Sequence, residues 1–229
     1  MGGTFLFSSI FSYGSQGARS KALALVLALG AVPAWAEPIT IAALGDSLTQ
    51  GYGLPQGQGL VPQLQGWLDG QGAEVTVLNA GVSGDTTAGG LARVAWTLTD
   101  DVDAMIVTLG GNDLLRGIDP AAARANLAGI LQEAQARDVD VLLVGMDAPP
   151  NYGADYEQAF EAIYPELAQE YHTLLFPNFF QGLLDHGATP ADAGGYMQPD
   201  GIHPNAEGVA LIVEAIGPSV LELAQKAAP

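Results

Sequence analysis

The run Ile39-Thr-Ile-Ala-Ala-Leu44, followed at once by Gly45-Asp46-Ser47-Leu48-Thr49, decides how the chain is read. Its first six residues are β-branched or apolar without interruption, as in a buried strand. A tight Gly-Asp-Ser turn then leaves the Ser47 hydroxyl at the strand's carboxyl end. In open α/β sheets that edge is where ligands sit. The turn alone does not identify a nucleophile, because Asp and Ser are also ordinary turn and helix N-cap residues. A nucleophilic serine needs partners, and the rest of the chain must supply them.

Working outward from Glu37, strand-like and helix-like segments alternate. Leu60, Leu64, Trp67 and Leu68 recur at helical spacing, and Glu74–Leu78 reads as a second strand with Asn79–Asp85 as its exit turn. A helix over roughly 86–99 turns Leu91, Val94, Ala95 and Leu98 to one face. Ala104–Leu109 is a third strand ending in Gly110-Gly-Asn112-Asp113. Asp119-Pro120 opens the next helix, since Pro is favoured at the first helical position, and its buried face is Leu127, Ile130, Leu131 and Ala134. Val139–Gly145 is a fourth strand, and the long loop Met146–Gly153 follows it. A helix from about 155 to 171 is kinked by Pro165, Thr173–Phe176 forms a fifth strand, and 181–201 is looser. A last helix starts near Asn205 and is interrupted at Pro218.

Five strands with helical crossovers predict an α/β fold: one flavodoxin-like, three-layer domain around a five-stranded parallel sheet. Right-handed connections favour the strand order 2-1-3-4-5. That order makes the exits of strands two, one and three neighbours, so Gly84, Ser47 and Asn112 converge on one crevice.

Composition bounds the rest. The chain has 229 residues and no cysteine, with 48% hydrophobic and 14% charged residues. Residues 1–36 hold Arg19 and Lys21, no acid, the apolar run Ala22–Leu29 and the closing Ala34-Trp35-Ala36. A basic segment, a short apolar core and an A-x-A site predict a signal peptide cleaved after Ala36. The apolar run falls short of the ~20 residues that a stable membrane anchor needs. The expected product is a periplasmic or secreted domain over 37–229, without disulfides, so its core alone must hold the fold. It keeps five basic against 25 acidic residues, a net charge of −20 with neutral histidines. Nucleic-acid binding rests on Lys and Arg neutralising phosphates, and this field opposes it. A monomer is expected.

Serine at its ordinary pKa needs a base within hydrogen-bond reach. Of three histidines, His172 ends a helix and His186 lies in a loop. His203 stands in Asp200-Gly-Ile-His203-Pro204, where an Asp three residues ahead can reach the ring and fix its tautomer. Donors for a developing oxyanion are the backbone N–H groups of Ser47 and Gly84 and the amide of Asn112. Ser83 is a rival serine supported only by turn composition. G-x-S-x-G does not occur, which disfavours the ordinary α/β-hydrolase.

Gly45-Asp-Ser-Leu-Thr49, Gly81-Val-Ser-Gly-Asp-Thr86, Gly110-Gly-Asn-Asp113 and Asp200-Gly-Ile-His203 together resemble the four signature blocks of the GDSL/SGNH hydrolases. The likeness extends to Leu114-Leu-Arg-Gly117, Asn151-Tyr-Gly153 and Ala162-Ile-Tyr-Pro165. It implies Ser47 as nucleophile, His203 as base oriented by Asp200, and Gly84 and Asn112 completing the oxyanion hole. It implies hydrolysis of acyl or aryl esters, thioesters or lysophospholipids through an acyl-Ser47 intermediate, without cofactor or metal. Leu114, Leu115, Ile118, Pro149, Pro150 and Tyr152 leave the same sheet edge and are expected to wall an acyl groove. Two other classes stay open. One is a metal-dependent phosphoesterase using Asp46, Asp113, Asp200 and His203. The other is a periplasmic binding protein without catalysis, for which an Asp beside His203 would be unnecessary.

Overall fold

A computed structural model describes residues 38–187 and 194–228. The expected leader and its cleavage site lie outside these residues.

Strands β1 (Ile39–Gly45), β2 (Val75–Gly81), β3 (Ala104–Thr108), β4 (Asp140–Val144) and β5 (Leu174–Phe176) form one sheet in the order β2-β1-β3-β4-β5. All four pairings are parallel. Every residue of β3 is buried, as is β1 from Ile41 onward, because helices cover both faces of the sheet. Edge strand β2 alternates buried and exposed residues over its first four positions.

Helices α2 (Leu60–Gly70), α8 (Gln181–Asp185) and α9 (Ala206–Ala227) pack together on one face. On the other, α3 (Thr87–Thr97), α5 (Pro120–Gln135), α6 (Ala154–Glu161) and α7 (Ile163–Tyr171) form the second layer. Two short helices, α1 (Ser47–Gln50) and α4 (Gly111–Leu115), sit at the carboxyl ends of β1 and β3. Asp119 caps α5 by accepting from the Ala121 N–H, with Pro120 at the first position, as its sequence predicts.

Four local expectations need correction. Strand β2 runs on through Asn79, Ala80 and Gly81, which pair with Ala43, Leu44 and Gly45 rather than turning away. On α3 the buried stripe is Thr87, Gly90 and Val94, with Leu98 just beyond, whereas Leu91 and Ala95 are exposed. Gly90 sets this rotation: a Cβ there would lie 2.2 Å from Leu109 Cδ1, so the helix meets the core along its glycine. Helix α9 is continuous past Pro218, whose exposed position puts the carbonyl left without its N–H on the solvent side. Ile212, Val213 and Ile216 before the proline and Val220 and Leu223 after it share the core. Part of the segment expected to be loose forms α8. Pro165, by contrast, does interrupt its helix, and α6 gives way to α7 at Ala162.

The sheet's carboxyl edge is shaped by two glycines. A Cβ on Gly45 would lie 2.0 Å from Thr49 Oγ1, and one on Gly81 would lie 2.3 Å from the Gln50 nitrogen. Without them α1 could not fold back over the ends of β1 and β2.

Candidate active site

Ser47 is the first residue of α1, and Asp46 is its cap, its carboxylate accepting from the Leu48 N–H at 3.0 Å. The hydroxyl is thereby presented just past the end of β1. His203 reaches it from the far end of the chain, 156 residues on, with Nε2 2.8 Å from Ser47 Oγ.

One carboxylate builds the histidine's turn and holds its ring. Asp200 Oδ1 accepts from the N–H groups of Ile202 and His203, both at 3.0 Å, while Oδ2 stands 2.7 Å from His203 Nδ1. With Nδ1–H donating to Asp200, Nε2 is the bare nitrogen and accepts from the Ser47 hydroxyl. The His203 ring and these two N–H groups hold the Asp200 carboxyl down at about 2. It therefore stays ionised down to about pH 2.

Gln198 ties this turn to the serine's helix. Its N–H donates to the His203 carbonyl at 2.7 Å, and its side chain donates to the carbonyls of Tyr52 and Pro204. The Tyr52 ring lies 4.8 Å from the imidazole, centroid to centroid.

Asn112 sits on α4 across the switch between β1 and β3, and its Nδ2 donates to Asp46 Oδ2 at 3.1 Å. Its second amide hydrogen is left for another acceptor. Neighbouring Asp113 is wholly buried and accepts from both the N–H and the hydroxyl of Thr87, which anchors α4 to α3. Burial pushes the Asp46 carboxyl up to about 6, against the Leu48 and Asn112 donors that favour its charge.

On the opposite side of Ser47, beyond β2, Gly84 adopts φ +82°, and its carbonyl accepts from Arg116 Nη2 at 2.8 Å. Arg93 braces the region by donating to the carbonyls of Gly45 and Ala80 and pairing with Asp85 at 2.6 Å. The Ser83 hydroxyl donates to Gln50 instead of a histidine. His172 and His186 each cap the end of a helix, α7 and α8.

A cavity of about 520 Å³ opens beside Ser47, Asn112 and His203. Leu114, Leu115, Pro149, Pro150 and Tyr152 line it as the sequence predicts. Ile118 does not, because the chain turns at Gly117 (φ +61°) and the Ile118 carbonyl instead takes the Tyr156 hydroxyl. Gly84 is also outside the lining, since the cavity runs from β1 toward β5 and Gly84 stands on the β2 side. Phe180 and Leu184 complete the wall. They follow β5 at the same carboxyl edge, the signal that would have found them. Of the four residues of the metal alternative, Asp200 and His203 pair with each other, whereas Asp46 and Asp113 are turned to Leu48 and Thr87, and no cluster of three possible metal ligands occurs among the described residues.

Proteins similar in sequence and in fold cover most of the chain. Esterase TesA of Pseudomonas aeruginosa is 39% identical over 206 residues, covering 90% of this chain and 99% of that protein. The thioesterase 1/protease 1/lysophospholipase L1 of Escherichia coli is 38% identical over 176 residues, covering 76% and 80%. Among solved structures, AlinE4, an SGNH-hydrolase family esterase, is 45% identical with a TM-score of 0.66, covering 81% of this chain and 96% of that one. The psychrotrophic esterase EstA from Pseudoalteromonas, inhibited by monoethylphosphonate, is 32% identical with a TM-score of 0.72, covering 80% and 97%. Residues 43–211, from the strand that delivers Ser47 to the helix that follows His203, match one family throughout, and the chain belongs to the GDSL-like lipase/acylhydrolase family.

Proposed function

We propose that this chain hydrolyses carboxylic esters through an acyl enzyme on Ser47. One observation carries the reading: an unbroken hydrogen-bonded line from Asp200 through His203 to Ser47 Oγ, at the mouth of an apolar cavity. Neutral His203 takes the hydroxyl proton as Ser47 Oγ attacks the acyl carbonyl. Asp200 stabilises the imidazolium that forms. The carbonyl oxygen, now an oxyanion, accepts from the Ser47 and Gly84 backbone N–H groups and from the free amide hydrogen of Asn112. Collapse expels the alkoxide or thiolate, which takes the proton from His203. Water, deprotonated in turn by His203, then attacks the acyl carbon and releases the acid and Ser47.

Apolar walls on both sides of the cavity suit the acyl chain of an aryl ester, a thioester or a lysophospholipid, and relatives named as esterases and a thioesterase support that range. The leader reading places the enzyme outside the cytoplasm, with a mature N-terminus at Glu37 that mass spectrometry of the exported protein will check. Among the described residues no helix is long and apolar enough to cross a membrane.

A fluorophosphonate probe tests the centre. It should label one peptide, the one carrying Ser47, and activity should survive exhaustive chelation. Labelling elsewhere, or inactivation by chelator that a divalent metal reverses, would reject the mechanism.

A further inference from the structure

Besides Asp46 and His203, one charged residue lines the cavity: Asp147, on the loop after β4. Asp147 is exposed on the cavity side of its loop, and the apolar groups of Met146, Ala148, Pro149 and Phe180 line the same cavity. Asn178, buried and following β5, donates to Asp147 Oδ2. The amide cannot turn away, because its Oδ1 accepts from the Phe180 N–H at 2.8 Å. The ion pairs formed among the described residues leave Asp147 without a cation.

The sheet gives this carboxylate a place relative to the nucleophile. Gly45 pairs with Thr108 and Val107 with Leu143, so Val144 stands level with Gly45 two strands away. Ser47 lies two residues beyond Gly45 and Asp147 three beyond Val144. Two strand spacings set the strand ends that lead to Ser47 and Asp147 about 10 Å apart, and both residues line the cavity. An acyl chain laid across that offset from a carbonyl at Ser47 would come level with this carboxylate after about six to eight carbons.

We propose that Asp147, held by Asn178, is a recognition site for a cationic group on the acyl part of the substrate, and that it selects esters bearing a protonated amine at that distance over those bearing a carboxylate. The inference rests on the hydrolase reading above. A fixed carboxylate in a largely apolar wall loses hydration when an alkyl chain covers it, and an ammonium group there restores a partner. A second carboxylate at the same place meets like charge.

The test compares aryl esters of octanoic acid, 8-aminooctanoic acid and the half-ester of suberic acid, in about 0.3 M salt. There the screening length is about 6 Å, which suppresses the protein's overall negative field and leaves contacts within the cavity. The readout is the ratio of kcat/KM for the amino ester to that for the acid ester. We expect at least about tenfold in favour of the amine, as for a partly exposed close ion pair set against a like-charge pair. Asp147→Asn should bring the ratio close to one, and Asp147→Lys should invert it. A ratio unchanged in both variants would mean that the overall charge makes the distinction, and would overturn the proposal. If the octanoic ester is not turned over and Ser47 takes no fluorophosphonate, the hydrolase reading fails, and this inference with it. If octanoate is hydrolysed normally but the amine is not favoured, only this inference fails.

Discussion

Asp46→Asn should make the protein more stable and the enzyme slower. The carboxyl is about 1% exposed, and burial raises it from 3.8 to about 6. Below pH 3.8 it is protonated in both folded and unfolded chains, and its ionisation has no bearing on stability. Between 3.8 and 6 the folded protein keeps a proton that the unfolded chain has lost, so stability falls as pH rises. Above pH 6 the loss is complete, and about two pH units correspond to ~3 kcal/mol. Asparagine has the same shape and is always neutral, so it escapes this loss while its Oδ1 still accepts from Leu48. By urea denaturation the variant should exceed the parent by up to ~3 kcal/mol at pH 8, but by only ~1 kcal/mol at pH 4.5. For a domain of this size the pH 8 gain corresponds to roughly 6–12 °C in Tm. Catalysis should suffer, because the amide introduced at this position would oppose Asn112 Nδ2 and turn that carboxamide over. The Asn112 donor would then leave the oxyanion, and kcat should drop by at least about tenfold. An equal stability difference at both pH values, or a variant less stable at pH 8, would refute the reasoning.

Ser47→Ala and His203→Ala should each remove most ester hydrolysis without unfolding the protein, and the double variant should be no worse than either; activity and circular dichroism check this. Asp200→Asn should lose less. Asn112→Ala should lower kcat by about 10²–10³ with little change in KM, measured on an aryl ester. Activity should fall as pH drops from neutral into the acid range, because the base must be neutral; a profile flat from neutral to pH 4 would exclude a histidine base. Polar substitution at Leu114 or Tyr152, both in the cavity wall, should reduce turnover of long acyl esters more than of acetyl esters. For acyl-CoA, kcat/KM should rise with salt, because Arg93 and Arg124 are tied up in ion pairs and leave a net acidic surface to repel its phosphates; a fall with salt would show that Arg116, beside Gly84, recruits them.

The sheet order and the Asp200–His203 pair were legible in the chain because both can be read from short stretches of sequence. Uninterrupted apolar runs mark strands buried on both faces, and right-handed crossovers then leave few orders to choose among. Asp200 and His203 are three residues apart, so a single turn brings carboxylate and ring together whatever the rest of the fold does. Ser47 was identifiable as a strand-end serine. Its distance from a histidine 156 residues away was fixed only by α9 and Gln198, which set the His203 turn against α1. Likewise the rotation of α3 depended on which residue met Leu109, and periodicity cannot distinguish a leucine stripe from a glycine one beside it. The same limit explains Pro218: its sequence forbids a hydrogen bond, but only packing put the unpaired carbonyl toward water and let the helix continue. Asp46, Asp147 and Asn178 lie furthest from what a sequence can state. Burial raises the Asp46 carboxyl and an opposing amide fixes Asp147, and both come from residues brought together across separate strands of the sheet.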